Sequence, residues 1–488
     1  MPLSKSRFTA GLQCHKLLWW KVHEPDAKEL EPDKVLEDLF SQGRQVGALA
    51  RGQYPGGVLI DLPYNAYDQR VAATKQAMAD GAPAIFEACF THDGVFVAID
   101  VLEKSGDGYT INEVKGANSQ KPEHIPDAAV QAYVAAACGV NVKGVHLMHL
   151  NRDCHYPDLS NLFAKTDLTQ QVAESCGDIP VEIAAQQKML EGPLPDVEIG
   201  SQCKDPHECP FMSRCWPTDP HHISQLYLVG GKRLEKYLAR GIRSMDDLPA
   251  KEKLNFTQQR QLKALRENRI IVEPTLAKEL EPFQGRLGFL DFETIQRAVP
   301  VWPGMWPCEQ TPAQFSYHER LPDGSYKHEA FLAEGPKDCR PALVEKMVRA
   351  TADAERVVMY TTFERDRIRG LKTAVPEFSA ELDALEDKLL DLKPVVTNCV
   401  YHPDFGGGFG LKHILSPLVP ELSYKDLVIV NGRVASVEIA RLLFVADKIP
   451  QHEKDRVRKE LLDYCERDTW ATVRLVEELR KLARLSVP

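Results

Sequence analysis

The sequence predicts an α/β protein made of two α/β domains with a short helical segment between them. Two groups of apolar runs are typical of strands, one within residues 84–116 and one at residues 287–293 and 357–360. Helical patterns follow each group and cover residues 127–138, 380–391 and 455–484. Strands followed by helices, twice along one chain, favour two separate α/β domains.

Composition limits the class of protein. At 488 residues the chain is long enough for about two to four domains, and its 43% hydrophobic content is enough to fill sizeable cores. The formal net charge of −10 argues against a protein that coats DNA through a uniformly basic surface. A nuclease is compatible with this charge, because carboxylates that hold cations make an enzyme acidic while its substrate groove stays basic.

The cysteines and the apolar runs indicate the cellular setting. Twelve cysteines in so long a chain do not resemble the framework of a disulfide-rich secreted protein. The segment from Met1 to Arg7 lacks the apolar core of a secretion signal, and no apolar run approaches the roughly 18 residues of a membrane-spanning helix. We therefore expect a soluble cytoplasmic protein without membrane contact, whose free thiols are available for metal binding.

Breaks in composition divide the chain into three parts. We expect a first domain over residues 1–220 and a charged helical connector, interrupted by glycines, over residues 221–283. A new apolar strand pattern begins at Leu287, so residues 284–488 are expected to form the second domain.

Charged residues follow two predicted strands of the first domain. The strands 95–100 and 109–115 are joined by a turn, so we expect Asp100 to end one of them and to meet the next. Glu113 and Lys115 are two residues apart and therefore share a face of the second strand. Carboxylates hold the divalent cations that hydrolyse phosphodiesters, and a nearby lysine stabilises the developing charge. The alternative is a plain exposed ion pair on a strand.

Two more residues complete this first candidate site. Gln131 lies on the helix that follows the strands and is expected to contact the substrate or to support the site. Glu87 is a candidate metal ligand from another strand. The hairpin with Asp100, the helix that carries Gln131 and the cysteines that follow favour a nuclease over an isolated ion pair.

A second group of acids lies in the second domain. Asp291 and Glu293 share one face at the end of an apolar strand, and Glu364 follows the next strand. Tyr464 and Asp468 are four residues apart on a predicted helix and are therefore neighbours on one face. Carboxylates from distant segments hold paired divalent cations, while a tyrosine orients the attacking water. Asp391 is a further candidate near this site.

Four cysteines form a third pattern. Cys14 precedes the first strands, and Cys203, Cys209 and Cys215 follow them at a C-x5-C-x5-C spacing. Thiolates at such loose spacing suit an iron–sulfur cluster better than zinc, which favours close C-x2-4-C pairs. Zinc and ordinary free thiols remain alternatives, and His15 and His207 are candidate substitute ligands.

These residues carry two family resemblances. Residues 1–216 resemble the RecB-type branch of the PD-(D/E)xK nucleases, whose domain has a restriction-endonuclease-like fold, and specifically the members with an iron–sulfur staple. The resemblance implies Mg²⁺ or Mn²⁺ bound through Asp100 and Glu113. It also implies a [4Fe-4S] cluster held by one cysteine before the nuclease core and three after it, namely Cys14, Cys203, Cys209 and Cys215. The family's usual metal-binding histidine on an early helix has no counterpart, because no histidine lies between residues 24 and 91.

The second domain resembles the DnaQ-like DEDD exonucleases, which have a ribonuclease H-like fold. Tyr464 places it with the tyrosine-containing subtype, DEDDy, and the resemblance gives metal-binding roles to Asp291, Glu293, Glu364 and Asp468. Glu364 stands where the family normally has aspartate. Both halves in this order resemble an uncharacterised bacterial and archaeal family of RecB-like nucleases.

The expected function is therefore metal-dependent, exonuclease-type hydrolysis of DNA in repair, recombination or defence against foreign DNA. The expected partner is single-stranded DNA or duplex ends, with RNA left open. The alternative is a catalytically decayed nucleic-acid-binding subunit of a larger helicase or CRISPR-type complex. The aromatic segment 301–307 is either a docking surface for such a partner or a packed loop.

Overall fold

A computed structural model describes residues 3–485 and divides the chain into two compact units. The first comprises Met1–Trp216 and Arg297–Cys308, and the second comprises Pro217–Gln296 and Glu309–Pro488. Both combine helices with mixed sheets, which confirms the predicted α/β class. Over the described residues, no helix has the length and apolar character needed to cross a membrane.

The first unit contains seven strands and eight helices among its described residues. The strands are β1 (Leu3–Ser4), β2 (Val58–Leu59), β3 (Ala84–His92), β4 (Val95–Ser105), β5 (Gly108–Lys115), β6 (Val142–Leu150) and β7 (Phe163–Asp167). The helices are α1 (Lys5–Gln13), α2 (His15–His23), α3 (Lys34–Arg51), α4 (Tyr67–Ala79), α5 (His124–Ala137), α6 (Thr169–Cys176), α7 (Ile179–Leu190) and α8 (Met212–Cys215).

One mixed sheet organises this unit. Strands β2 to β7 lie in chain order, and β1 pairs with β4. Strands β3, β4 and β5 form an antiparallel meander, after which α5 crosses over so that β6 runs parallel to β5. Helix α5 buries its alanine- and valine-rich face on the sheet. The prediction that Asp100 ends a strand is wrong, because β4 continues to Ser105 and places Asp100 in its middle.

The segment Arg297–Cys308 packs within the first unit. Arg297 forms an ion pair with Asp38 at 2.8 Å, and the side chain of Gln42 accepts a hydrogen bond from the backbone N–H of Ala298. Trp302 is 1% exposed. Because this large apolar ring is buried, the packed-loop alternative applies to Trp302, and it offers no docking surface.

The second unit contains seven strands and ten helices among its described residues. The strands are β8 (Ile271–Val272), β9 (Leu287–Gln296), β10 (Gln310–Arg320), β11 (Tyr326–Leu332), β12 (Arg356–Met359), β13 (Leu389–Asp391) and β14 (Val400–Tyr401). The helices are α9 (Gly231–Ala239), α10 (Phe256–Glu267), α11 (Leu276–Glu279), α12 (Arg340–Thr351), α13 (Phe363–Ala374), α14 (Ser379–Lys388), α15 (Lys393–Cys399), α16 (Leu411–Leu418), α17 (Gly432–Phe444) and α18 (Gln451–Leu482).

A five-stranded sheet with the order β11-β10-β9-β12-β13 forms the centre of this unit. The first three strands are antiparallel, whereas β12 and β13 run parallel to β9. Because side chains alternate along a strand, Leu290 and Phe292 of β9 face the core under α12, α13 and α14. Asp291 and Glu293 consequently face the other layer, where α18 packs on β9 and β10.

The helical segment before β9 is not a separate connector. Ala264, Ile271 and Phe283 share one hydrophobic core with residues of the central sheet. Strand β8 pairs with β14, and the guanidinium of Arg260 donates to the carbonyl of Thr397 at 2.9 Å. These long-range contacts place residues 221–283 inside the second unit instead of between two domains.

A glycine in β9 provides a test of how closely Tyr317 of β10 packs against this strand. A Cβ atom at Gly288 would lie 2.3 Å from the hydroxyl oxygen of Tyr317, whose ring covers this position. We expect Gly288→Ala to lower the free energy of unfolding by about 1–3 kcal/mol, as overpacking of cores does. Urea denaturation measures this change.

The matched control is Gly370→Ala in α13, where a Cβ atom meets nothing within 4 Å. Alanine is the better helix former, so this variant should be more stable by about 0.5–1 kcal/mol. Equal effects of the two substitutions would contradict the packing of Tyr317 on Gly288.

Candidate metal centres

Three acids converge in the second unit. Asp291 and Glu293 project from the same face of β9, and Asp468 projects from α18, which crosses that face. One carboxylate oxygen from each lies within 4.8 Å of the others. Carboxylates gathered at this spacing are the ligands that Mg²⁺ and Mn²⁺ prefer.

Burial makes this arrangement electrostatically costly. Burial, followed by the charges of Asp468 and Glu293, raises the pKa of Asp291 well above its ordinary value. Burial and the charge of Asp468 do the same to the pKa of Glu293, and burial raises the pKa of Asp468. Like charges in a low-dielectric site repel strongly, so these groups hold either protons or a cation.

Glu364 is the fourth acid of the group. It is the second residue of α13, a short turn after β12 ends at Met359, and is 5% exposed. Burial raises its pKa to about 8, with further contributions from the charges of Asp391 and Asp468. Its Oε2 atom is buried without a hydrogen-bond partner among the described residues. A buried carboxylate oxygen without a partner is a group to which a bound cation would supply one.

Asp391 lies at the end of a strand and not in a helix as the apolar pattern predicted. It closes β13, and its carboxylate accepts the backbone N–H of Lys393 at 3.0 Å. Burial raises its pKa. It lies close enough for its charge to act on Glu364, and so it borders the site.

Lys412 supplies positive charge at this centre. It lies at the start of α16, and its Nζ atom donates to the hydroxyl of Tyr464 at 2.9 Å and lies over the rings of Tyr464 and Tyr424. Burial lowers the pKa of Lys412, whereas the charges of Asp468 and Glu293 act in the opposite direction. One lysine among four buried acids leaves the centre short of positive charge.

Two tyrosines and a helix end complete the centre. The hydroxyl of Tyr424 donates to Asp468, and burial raises the pKa of Tyr464 above its ordinary value, so both phenols keep their protons. The first residue of α17, Gly432, lies against Glu293, where a Cβ atom would be 3.2 Å from a carboxylate oxygen. A helix N-terminus carries partial positive charge, which favours the ionised form of such a carboxylate.

The sequence patterns did not indicate every member of this centre. Tyr424 lies in an irregular segment whose local sequence gives no signal. Lys412 follows the glycine-rich segment 405–410, whose composition is typical of a flexible loop. In the structure Phe405 and Phe409 are buried, and Gly407 has a φ of 74°, with no room for a Cβ atom beside the carbonyl oxygen of Gln225. This packed turn is what directs α16 and its lysine at the acids.

The first unit contains a different charge cluster around Glu113, which is 1% exposed. Lys115 and Lys5 contact one of its carboxylate oxygens at 2.7 Å and 2.8 Å, and the amide of Gln131 donates to the other at 2.7 Å. Although burial opposes ionisation, the two lysines hold the pKa of Glu113 well below its usual range. Glu113, Lys115 and Gln131 are thus brought together, as their positions in the sequence predicted.

Two further acids lie beside Glu113. Asp100 accepts the backbone N–H of Val114 at 2.7 Å, and burial, followed by the charge of Glu113, raises its pKa to about 7. Asp127, one helical turn before Gln131, contacts Lys115 at 2.5 Å and Lys5 at 3.5 Å. Burial and Glu113 raise the pKa of Asp127. Its i, i+4 relation to Gln131 is a signal in the sequence that our prediction omitted.

Nothing in the local sequence indicates that Lys5 belongs to the cluster around Glu113. The candidate ligand Glu87 lies outside this cluster. Lys5 begins α1 and reaches Glu113 only through the tertiary fold. Glu87 interrupts β3 with a φ of 56°, and its carboxylate lies 3.7 Å from the guanidinium of Arg70. Among the described residues, no three acids of this cluster lie within 4.8 Å of one another. The structure therefore does not bring Glu87 together with Asp100 and Glu113.

The four cysteines line one pocket in the first unit, together with Trp20, Phe211 and other residues, and the cavity volume of this pocket is about 20 Å³. Helix α1 ends at Gln13 and α2 begins at His15, so Cys14 between them has an extended backbone. Its side chain lines the pocket. Neither histidine proposed as a substitute ligand lines the pocket. All four cysteines are free thiols, and burial raises the pKa of Cys209 to about 11.

The separation of these thiols bears on the kind of metal group that they could hold. Tetrahedral zinc with Zn–S bonds of about 2.3 Å holds its thiolates about 3.8 Å apart. No trio of the four cysteines, all of which are described, has its sulfurs within 4.8 Å. An iron–sulfur cluster interposes its own irons and sulfides and needs a wider set of thiolates, with which the separation of these sulfurs is compatible.

Comparison with known proteins covers part of the second unit. Residues 288–410, about a quarter of the chain, match a family described as a domain of unknown function, DUF2779. The matched segment contains Asp291, Glu293 and Glu364 and ends before Lys412 and Asp468. A search of curated proteins found no match to the chain.

The pKa of Glu364 predicts a pH dependence of stability. In the presence of a chelator, the folded protein holds this proton up to a pH of about 8, whereas the unfolded chain releases it near 4.5. The folded state therefore binds more protons between these values, and the free energy of unfolding should fall as the pH rises from about 4.5 to about 8. Chemical denaturation across this range measures the slope, which saturating Mn²⁺ should reduce.

Glu364→Gln should flatten part of the slope, because glutamine does not titrate. Glu381→Gln, an exposed glutamate on α14, is the matched control and should leave the slope unchanged. Identical slopes in wild type and Glu364→Gln would show that Glu364 does not hold this proton.

Proposed function

We propose that the second unit is a divalent-metal-dependent phosphodiesterase that hydrolyses nucleic acid from an end. The observation that carries this proposal is the set of Asp291, Glu293 and Asp468 within 4.8 Å, with Glu364 buried beside them. Ordinary structural carboxylates are paired or solvated, whereas Asp291, Glu293 and Asp468 share the half-buried Lys412. Paired cations held by such acids are the usual catalysts of phosphodiester hydrolysis.

The chain's own residues have definable roles in this reaction. When bound, a divalent cation offsets the charge on the phosphate and lowers the pKa of a coordinated water. Asp291, Glu293, Glu364 and Asp468 hold the cations. Tyr464 stays protonated and fixes the position of the attacking water by hydrogen bonding. Lys412, directed at the same centre, binds a phosphate oxygen and offsets charge as the bond from phosphorus to the leaving sugar oxygen breaks.

The topology supports the resemblance to the ribonuclease H-like exonucleases. Three antiparallel strands come first, and two later strands run parallel to β9 on its other side. The acids lie on β9, at the start of α13 and on the long helix α18, which is the order in which the family supplies its ligands. Tyr464 precedes Asp468 by one helical turn, as in the tyrosine-containing subtype.

The first unit supports a second candidate centre of the PD-(D/E)xK type. Its Asp100, Glu113, Lys115 and Gln131 form one cluster, but Lys5 already neutralises part of the charge on Glu113. A cation must therefore displace the ammonium of Lys5 before it gains Glu113 as a ligand. The alternative, a decayed site that binds nucleic acid without cutting it, applies more directly to this unit than to the second.

Nuclease assays test which centre acts. With Mn²⁺ and end-labelled single-stranded or duplex DNA, Asp468→Asn should reduce the cleavage rate by at least about 100-fold, because each lost metal ligand removes several kcal/mol of stabilisation. Asp463→Asn, half-exposed on the same helix and paired with Lys459, is the matched control and should retain full activity.

Glu113→Gln separates the two units in the same assay. Retained cleavage in this variant places the activity in the second unit, as proposed. Loss in Glu113→Gln with full activity in Asp468→Asn would overturn the proposal and assign cleavage to the first unit. Binding of DNA by wild type without cleavage under any metal condition would leave only the decayed-site alternative.

We propose further that the cysteine pocket holds a [4Fe-4S] cluster. Anaerobic purification should give a brown protein with about four irons per chain. Cys209→Ser should lose the iron and the visible absorbance, whereas Cys138→Ser, an exposed thiol outside the pocket, should keep both. A colourless wild-type protein that contains zinc in place of iron would contradict the proposal.

A further inference from the structure

Two histidines and a glutamate form a separate cluster in the second unit. His318 on β10 and His328 on β11 are directly paired across the antiparallel ladder, and Glu466 projects over them from α18. One ligand atom from each of the three lies within 4.8 Å of the others. The Nδ1 atom of His328 is 3.9 Å from a carboxylate oxygen of Glu466. None of these residues belongs to the acid centre described above.

Hydrogen bonds fix one nitrogen of each imidazole. The Nδ1 atom of His318 contacts the hydroxyl of Thr469 at 2.8 Å, and the Nε2 atom of His328 contacts the hydroxyl of Ser316 at 3.0 Å. The two hydroxyls are 2.7 Å apart, and that of Thr469 also donates to the carbonyl oxygen of Glu466.

The direction of these bonds follows from the number of protons. Since Thr469 uses its one proton on the carbonyl, it accepts from Ser316 and from His318. Ser316, having donated to Thr469, accepts from His328. Both rings are therefore protonated on the nitrogens that face the hydroxyls. The opposite nitrogens, Nε2 of His318 and Nδ1 of His328, carry lone pairs.

The two imidazole rings lie close together. They are stacked with centroids 4.5 Å apart and an interplanar angle of 29°. Rings held in these tautomers have lone pairs on the nitrogens that face away from the hydroxyls, and such lone pairs are the donors that a metal ion binds.

We propose that His318 Nε2, His328 Nδ1 and the Glu466 carboxylate bind a transition-metal ion of the zinc class. Two imidazoles and one carboxylate are a ligand set typical of Zn²⁺, with a fourth position left for water. Hard ions such as Mg²⁺ prefer oxygen and suit the acid centre instead. His318 Nδ1 is hydrogen-bonded to Thr469, and His328 Nε2 is hydrogen-bonded to Ser316. Metal-bound histidines normally have such hydrogen bonds, which fix the tautomer and the orientation of the ring.

The site would fasten α18 to the β10–β11 hairpin. Glu466 comes from the helix and both histidines come from the hairpin, so the ion would add a link between elements that Thr469 already joins by hydrogen bonds to Ser316 and His318. Asp468, a ligand of the acid centre, is two residues from Glu466 on the same helix. A bound ion would thus fix the position of α18 over β9 without taking part in the chemistry.

Zinc titration tests this site in the intact protein. Isothermal titration with Zn²⁺ is performed on anaerobically purified chain in saturating Mg²⁺, which occupies the oxygen-ligand centre. We expect His328→Ala and Glu466→Gln each to lose one zinc equivalent or to weaken it at least about tenfold. Both side chains are partly exposed, at 28% and 49%, so neither variant should fail to fold.

Four comparisons decide the outcome. His402→Ala, a partly exposed histidine of the same unit paired with Asp404, should bind as many zinc ions as wild type. Zinc should also raise the melting temperature of wild type more than that of His328→Ala. Equal stoichiometry and affinity in wild type, His328→Ala and Glu466→Gln would overturn the proposal. So would loss of the equivalent in Asp291→Asn with retention in His328→Ala, since that places the zinc among the acids.

Discussion

Mutual repulsion among the buried carboxylates around Asp291 is the constraint on which the second unit depends. Burial of like charges is among the largest unfavourable electrostatic terms in a protein interior. The fold offsets this repulsion only in part. The groups that do so are Lys412, the hydroxyl of Tyr424 and the N-terminus of α17 beside Glu293. The remaining imbalance is what a divalent cation would relieve. Stability and cation binding should therefore be linked, because a cation bound only by the folded state stabilises it.

The two acid clusters differ in how the negative charge of their buried carboxylates is balanced. In the first unit, Lys5 and Lys115 contact Glu113 directly, so its carboxylate is ionised and paired without a metal. In the second unit, Glu364 has an oxygen without a partner among the described residues. A paired acid gains little from a cation that must first displace an ammonium, whereas an unpaired acid gains the whole interaction. This difference in charge balance, and not the number of acids, makes the second unit the stronger candidate for catalysis.

Sequence patterns predicted the parts of these sites that depend on local geometry. Strand alternation places Asp291 beside Glu293, and helical spacing places Tyr464 beside Asp468, because both relations are fixed within one element. Lys5, Tyr424 and the pair of His318 and His328 could not be predicted this way. Their hydrogen-bond partners lie 12 to 151 residues away along the chain. Only the pairing of strands and the packing of helices determines which of these residues come into contact. The expectation of a separate connector over residues 221–283 differs from the structure for the same reason, since their place in the second unit depends on distant contacts such as those of Arg260.

Helix α18 connects the two metal sites proposed for the second unit. Its 32 residues run from Gln451 to Leu482, and two different faces of the helix carry Asp468 towards β9 and Glu466 towards β11. A helix moves as a body over such short distances, since displacing one residue without the next breaks backbone hydrogen bonds. A shift that separates Glu466 from the histidines also displaces Asp468 relative to Asp291. Occupancy of the histidine site should therefore favour the arrangement in which the four acids face one another, and this link follows from the helix alone.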